Sequence, residues 1–129
     1  MNWYLAKLIF QVRSGEGTHT PQFDEQWRLI RADEVSWAYE KASVLGRLDE
    51  SSFLNDRDEL VAWTFIEVAD IHLVGSLEDG AQLFSSTEEP MDADAYIAQL
   101  KMKSQKAIAL ARISEMKCKA SDRFERSDA

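Results

Sequence analysis

Apolar and polar residues alternate along residues 3–13. Tyr4, Ala6, Leu8, Phe10 and Val12 share one face, and none is charged. Trp3, Leu5, Lys7, Ile9, Gln11 and Arg13 share the other. The second face is only partly polar, which predicts a central strand with something covering that side too. Gly15, Gly17 and Pro21 then mark a loop. A second strand is predicted over 22–32. Phe23, Trp27 and Leu29 fall on one of its faces, Ile30 and Ala32 on the other, and it pairs with the first strand as a hairpin with a long loop.

The period then changes. Val35, Ala38, Tyr39, Ala42 and Leu45 recur at helical spacing, predicting a helix over 34–45. Asp33 stands where an N-cap belongs and Gly46 where a left-handed C-terminal cap belongs. Phe53 and Leu54 form a short apolar patch, and 55–59 reads as a turn. The β-branched and aromatic run 60–68, with Trp63, Phe65 and Ile66, predicts a third strand. It is expected to bend near Ala69 and Asp70 and to continue over 71–74. Asp79-Gly80 marks a turn before the short segment 81–84.

Pro90 breaks the chain, and Asp92 is placed to cap a long helix over 93–118. Ile97, Leu100, Ser104, Ala107, Ala111, Ser114 and Cys118 step by alternating threes and fours, a heptad-type seam with small residues in it. Met102, Ala109, Ile113 and Met116 form a second apolar row, and 107–111 is apolar all round. A helix of that kind is packed on more than one side. The pattern thus predicts an α+β fold: a mostly antiparallel sheet in β-β-α-β-β order, one helix packed on it, and a long C-terminal helix. The expected organisation is a core domain over 1–90, a helix over 91–120 that packs on the core or on a partner subunit, and a frayed tail over 121–129.

Composition narrows the function. In a chain of 129 residues, 45% hydrophobic content supports one folded domain and excludes general disorder. The net charge of -8 argues against a whole-molecule nucleic-acid binder. Charge is also uneven: 7 basic and 19 acidic residues lie in 1–100, against 8 and 4 in 101–129, leaving −12 and +4. An acidic body with a basic tail suggests that the tail docks on a body, its own or a partner's. A single cysteine, Cys118, excludes a disulfide scaffold and fits a reducing compartment. Lys7 interrupts the apolar N-terminus, so a buried strand is expected there and not a secretory signal. No apolar run approaches the roughly 20 residues that cross a bilayer, and no membrane partner is expected.

Several stretches resemble a known family. They are Trp3-Tyr4-Leu5-Ala6-Lys7-Leu8, Phe23-Asp24-Glu25-Gln26 with Arg28-Leu29-Ile30, the helical Ala38, Lys41-Ala42 and Leu45-Gly46, then Phe53-Leu54-Asn55, Trp63-Thr64-Phe65 and Asp79-Gly80. Their order is similar to a small bacterial family catalogued as domain of unknown function 4288, over about residues 3–100. The Phe-Asp-Glu-Gln stretch followed closely by Arg-Leu-Ile is the most specific part. The resemblance implies a bacterial, cytoplasmic protein. It implies no activity, cofactor or catalytic residue.

Candidate chemistry gathers on residues 15–28. His19, Asp24, Gln26 and Arg28 lie close in sequence, and the last three share one strand face. Arg28 as a forked donor, Asp24 as acceptor and Gln26 as both could hold a small polar ligand, with Trp63 as a further wall. The alternative is a hairpin face carrying a weak Asp24–Arg28 ion pair. Gly15-x-Gly17 lacks the third glycine and the following helix of a dinucleotide loop. No HExxH, CxxC or EF-hand spacing is present, so no metal site or cofactor is expected. Cys118 has no histidine nearby in sequence and reads as a packing residue, so no catalytic residue is assigned. Trp37 lies off the helical stripe and is a candidate interface residue, as are Leu100, Ala107 and Ala111 on the long helix.

These readings favour a non-enzymatic module of the interaction, accessory or immunity type that forms a homo-oligomer, most simply a dimer, with a protein partner as a further possibility. The alternative is a small ligand-binding protein or enzyme using the 15–28 hairpin. A closed pocket lined by Asp24, Gln26, Arg28 and Trp63 would favour that alternative. Nucleic-acid binding is conceivable only through the basic tail.

Overall fold

The computed structural model describes residues 1–15 and 20–127. The chain divides into two units: Met1–Ser86, which holds a sheet and one helix, and Thr87–Ala129, which holds the long helix. The elements run β1 (Asn2–Ser14), β2 (Gln22–Ala32), α1 (Val35–Leu48), β3 (Ser51–Leu54), β4 (Leu60–Val74) and α2 (Ala93–Ser127). The four strands form one antiparallel sheet in the order β2-β1-β4-β3. The fold is the expected α+β arrangement, with β1 central.

Register fixes the faces. Tyr4, Ala6, Leu8 and Phe10 of β1 lie opposite Ile30, Arg28, Gln26 and Asp24 of β2, so all eight share one face of the sheet. That face carries α1. Ala6, Leu8, Phe10, Ile30 and Ala32 meet Ala38 and Ala42 of the helix in a core that excludes water almost completely. Small residues on both sides (Ala6 and Ala32 under Ala38 and Ala42) let the helix lie close to the strands. Its buried stripe is therefore Ala38, Ala42, Ser43 and Gly46, whereas Val35 and Tyr39, expected on that stripe, are exposed.

Both expected helix caps are corrected. The N-cap residue is Glu34, and its side chain caps nothing. The Asp33 carboxylate instead stands 4.0 Å from the N-terminal amine of Met1. Gly46 is not the left-handed terminator, because α1 continues to Leu48. Its role is steric. A Cβ there would fall 2.8 Å from Phe65 Cγ and 2.5 Å from Cε2, so the missing side chain makes room for the Phe65 ring. Phe65 in turn meets Phe10 edge-on at 5.7 Å.

The second half of the sheet also differs from expectation. Residues 60–68 and 71–74 form one strand, β4, with register shifts against β1 between Lys7 and Leu8 and between Ile9 and Phe10. The first shift falls at Ala69, where the bend is predicted, and a bulge accommodates it without ending the strand. The fourth strand comes earlier than expected. The Phe53–Leu54 patch is the end of β3, which pairs with β4 across a turn in which Asn55 Oδ1 accepts from the N–H groups of Arg57 and Glu59. Residues 81–84 form no strand.

In the second unit, Asp92 caps α2 as expected: its Oδ1 accepts from the Ala95 N–H at 3.1 Å. The helix has 35 residues, about 52 Å at 1.5 Å per residue. It runs through Ser127, beyond the expected end at 118 and through most of the tail expected to fray.

Candidate functional site

The polar trio on β2 is brought together, and the sheet decides its surroundings. Because Asp24, Gln26 and Arg28 share a face with Ile30 and Ala32, they stand beside the core on the side that carries α1. There they bond to one another. Gln26 Nε2 donates to Asp24 Oδ2 at 2.7 Å. Arg28 donates to Gln26 Oε1 through Nε at 3.2 Å and through a terminal nitrogen at 2.5 Å. A terminal nitrogen of Arg28 also lies 2.6 Å from Asp49 Oδ2, at the C-terminal cap of α1. The relay Asp24–Gln26–Arg28–Asp49 therefore ties the edge strand to the end of the helix. Asp49, the residue that closes this relay, carries no strand or helix signal in the sequence, because only the tertiary approach of α1 to β2 brings it there.

Trp63 stands apart from the trio. It packs on the core with its ring 6.4 Å from Phe10, and β1 runs between it and β2. His19 lies outside the described residues. Neither of two surface depressions is lined by the trio. The one of about 550 Å³ sits where the ends of β1 and β2 face the β3–β4 turn and includes Arg13, Gln22, Asn55 and Arg57. No group of three or more His, Cys, Asp or Glu residues among the described residues could hold a metal ion.

The opposite face of the sheet carries a second set of aromatic residues. Trp27 lies 5.6 Å from Phe84 and 6.2 Å from His72, and His72 lies 4.5 Å from Phe84. Phe84, in the segment after β4, thus covers part of this face. The Lys7 ammonium sits 5.6 Å above the Trp27 ring and pairs with Glu25 at 3.2 Å. The Arg31 guanidinium lies 5.5 Å above Trp3. His72 Nε2 is 2.9 Å from Asp70 Oδ2, in a geometry too bent for a hydrogen bond. Leu5 and Val74 on this face are buried, but its β2 edge stays open: Phe23 is 58% exposed, Trp27 43% and Leu29 44%. The alternation of β2 signals this stripe, but its exposure is not visible in the sequence.

On the helix side, the Tyr39 hydroxyl donates to Glu67 Oε1 at 2.5 Å, and the same oxygen accepts from the Val68 N–H. The shared bond raises the Tyr39 pKa, since ionised tyrosine could not donate, and lowers that of Glu67. Trp37 projects from α1, 58% exposed. Leu100, Ala107 and Ala111 are exposed on α2. No helix among the described residues is long and apolar enough to cross a membrane.

No curated protein and no solved structure matches the chain. A family model described as a domain of unknown function, DUF4288, matches residues 3–85, from the start of β1 through the Phe84 segment and short of the residue 100 suggested by resemblance. By that match over most of its length the chain belongs to the DUF4288 family.

Proposed function

We propose that the domain is a non-enzymatic protein-interaction module that engages a protein partner through the open face of its sheet. The observation that carries this reading is the internal use of the best ligand-binding candidates. Asp24, Gln26 and Arg28 direct their bonding groups at one another and at Asp49, while the reverse of the same strand leaves Phe23, Trp27 and Leu29 in contact with water. Exposed aromatic groups flanked by charges are typical anchors of protein interfaces. Trp37 offers a second anchor on α1. A bacterial setting extends the family resemblance, and a cytoplasmic one fits Cys118, an exposed thiol in a chain with one cysteine.

The competing reading, a small-ligand protein using the 15–28 hairpin, draws on the depression beside Arg13 and Arg57. Two measurements separate the readings. A photoreactive amino acid in place of Trp27 is expected to form protein adducts in cells, with none from the same group in place of Glu40 on α1. A panel of metabolites is expected to leave the melting temperature unchanged. A ligand at 100-fold its Kd would stabilise by about 2.7 kcal/mol, and such a shift together with no adduct at position 27 would overturn the proposal.

A further inference from the structure

The free edge of β2 carries an inference that does not rest on the partner reading above. At one side of the sheet β3 has only 4 residues, whereas β2 at the other has 11 and pairs with β1 without a register shift. A long, regular edge strand is a template for another strand. The ladder shows which groups it offers. The Gly15 N–H donates to Leu60 O at 2.9 Å, and the extra residues at the register shifts, Ala69 and Ile66, both lie in β4. Odd residues of β1 therefore turn their backbone groups to β4, and even residues turn theirs to β2. On β2 the even residues answer them, and Phe23, Glu25, Trp27, Leu29 and Arg31 turn N–H and C=O outward. Lys41 Nζ, reaching from α1, donates to Arg31 O at 3.1 Å and so marks the same edge. Trp37, Val44 and Leu48 recur with Lys41 at steps of four and three along that side of α1, and all three are exposed.

We infer that β2 pairs antiparallel with the β2 of a second copy of this chain, about a two-fold axis through Gln26. Asp24 then stands opposite Arg28 of the second copy, and Arg28 opposite its Asp24, on the face that carries α1. Both groups have capacity left. Asp24 uses Oδ2 for Gln26, and Arg28 uses Nε and one terminal nitrogen for Gln26 and Asp49. Asp24 Oδ1 and the second terminal nitrogen of Arg28 have no partner among the described residues. On the open face, Phe23 meets Leu29 of the second copy twice over, which shields two of the exposed apolar groups of this edge. The register also stops where the edge stops offering bonds. Arg31 comes level with Pro21 of the second copy, which has no N–H to give, and Arg31 O already accepts from Lys41. Sliding by one step puts Glu25 against its own copy in one direction and Trp27 in the other, and either slide separates Asp24 from Arg28. In the favoured register the two sheets become one, with both α1 helices on one face and both Trp27 rings on the other.

The register is measurable by cross-linking. The full-length chain is expected to sediment as a dimer. With Cys118→Ser in place, Gln26→Cys should oxidise to a dimer linked through position 26, because such non-hydrogen-bonded pairs hold their Cα atoms about 4.5 Å apart. Phe23→Cys combined with Leu29→Cys should link position 23 of one copy to 29 of the other, mapped by peptide mass, and both positions are exposed, so this variant leaves the core untouched. Leu29→Cys without the second cysteine should give no link. Asp24→Lys should weaken the wild-type dimer about tenfold, since two attractive cross-strand pairs turn repulsive. A monomer at about 100 μM overturns the inference. So does a link from Leu29→Cys alone, the failure of both cysteine designs to link, or an Asp24→Lys dimer as tight as the wild type.

Discussion

The two faces of the sheet are built from the same four strands, yet they end in different states. Under α1, the rings of Tyr4, Phe10, Trp63 and Phe65 pack with aliphatic and small side chains, and Leu8, Phe10, Ile30 and Ala32 are buried. On the other face the apolar groups, among them Trp3, Phe23, Trp27 and Leu29, are interleaved with Lys7, Glu25, Asp70 and His72, which stack on or pair with their neighbours. The comparison teaches that apolar content alone does not define a core. A helix with alanine and glycine on its contact stripe can approach a sheet closely enough to exclude water. A face that carries Lys and Glu between its rings keeps part of its area wet, because the charges must remain solvated.

The sharpest way to break this comparison is to truncate one leucine on each face. Leu8→Ala should cost about 2–5 kcal/mol, as for a fully buried leucine, and Leu29→Ala less than about 1 kcal/mol. Urea denaturation of the two variants decides, and equal losses would mean that the open face is as well packed as the covered one. The next effect concerns how closely α1 sits. Gly46→Ala should destabilise by about 1–3 kcal/mol through overpacking against Phe65, although alanine favours an isolated helix by about 1 kcal/mol. Adding Phe65→Leu should recover part of the loss. A Gly46→Ala variant as stable as the wild type would show that the ring moves aside freely.

The smallest effect lies at the exposed Tyr39–Glu67 bond and is read from pH. The Glu67 carboxyl is held below its ordinary value of 4.5. Its contribution is therefore present above that pH and is lost as acid protonates it through its folded pKa. Tyr39 is held above 10.0, so its contribution is complete below that pH and disappears as alkali ionises it. The stability difference between wild type and Tyr39→Phe should thus be flat through neutral pH and shrink at both extremes. Denaturation midpoints measured at about pH 3, 7 and 11 test the sign, and a difference that grows in acid would refute the assigned bond.

Much of the architecture was legible because it depends on local periodicity. The alternation of 3–13 and 22–32 assigned the faces of β1 and β2 correctly, including the separation of Trp27 from Ile30, because side chains of a strand must alternate. Asp92 was legible as the α2 cap because an N-cap acts within its own first turn. Gly46 was misread for a related reason. Its spacing after the helical stripe fits a terminator, while its true role depends on Phe65, a residue on another element.

What the sequence by itself determined, then, is the kind of each element, the faces of its strands and the change from acidic to basic residues toward the C-terminus, all properties of neighbours along the chain. Tertiary structure alone decided that Asp24, Gln26 and Arg28 answer to Asp49, that Trp63 stands across β1 from them, and that the aromatic face of β2 remains open. The physical reason is that a side chain's partner and its exposure depend on which elements approach it, and that approach is set by the packing of α1 on the sheet.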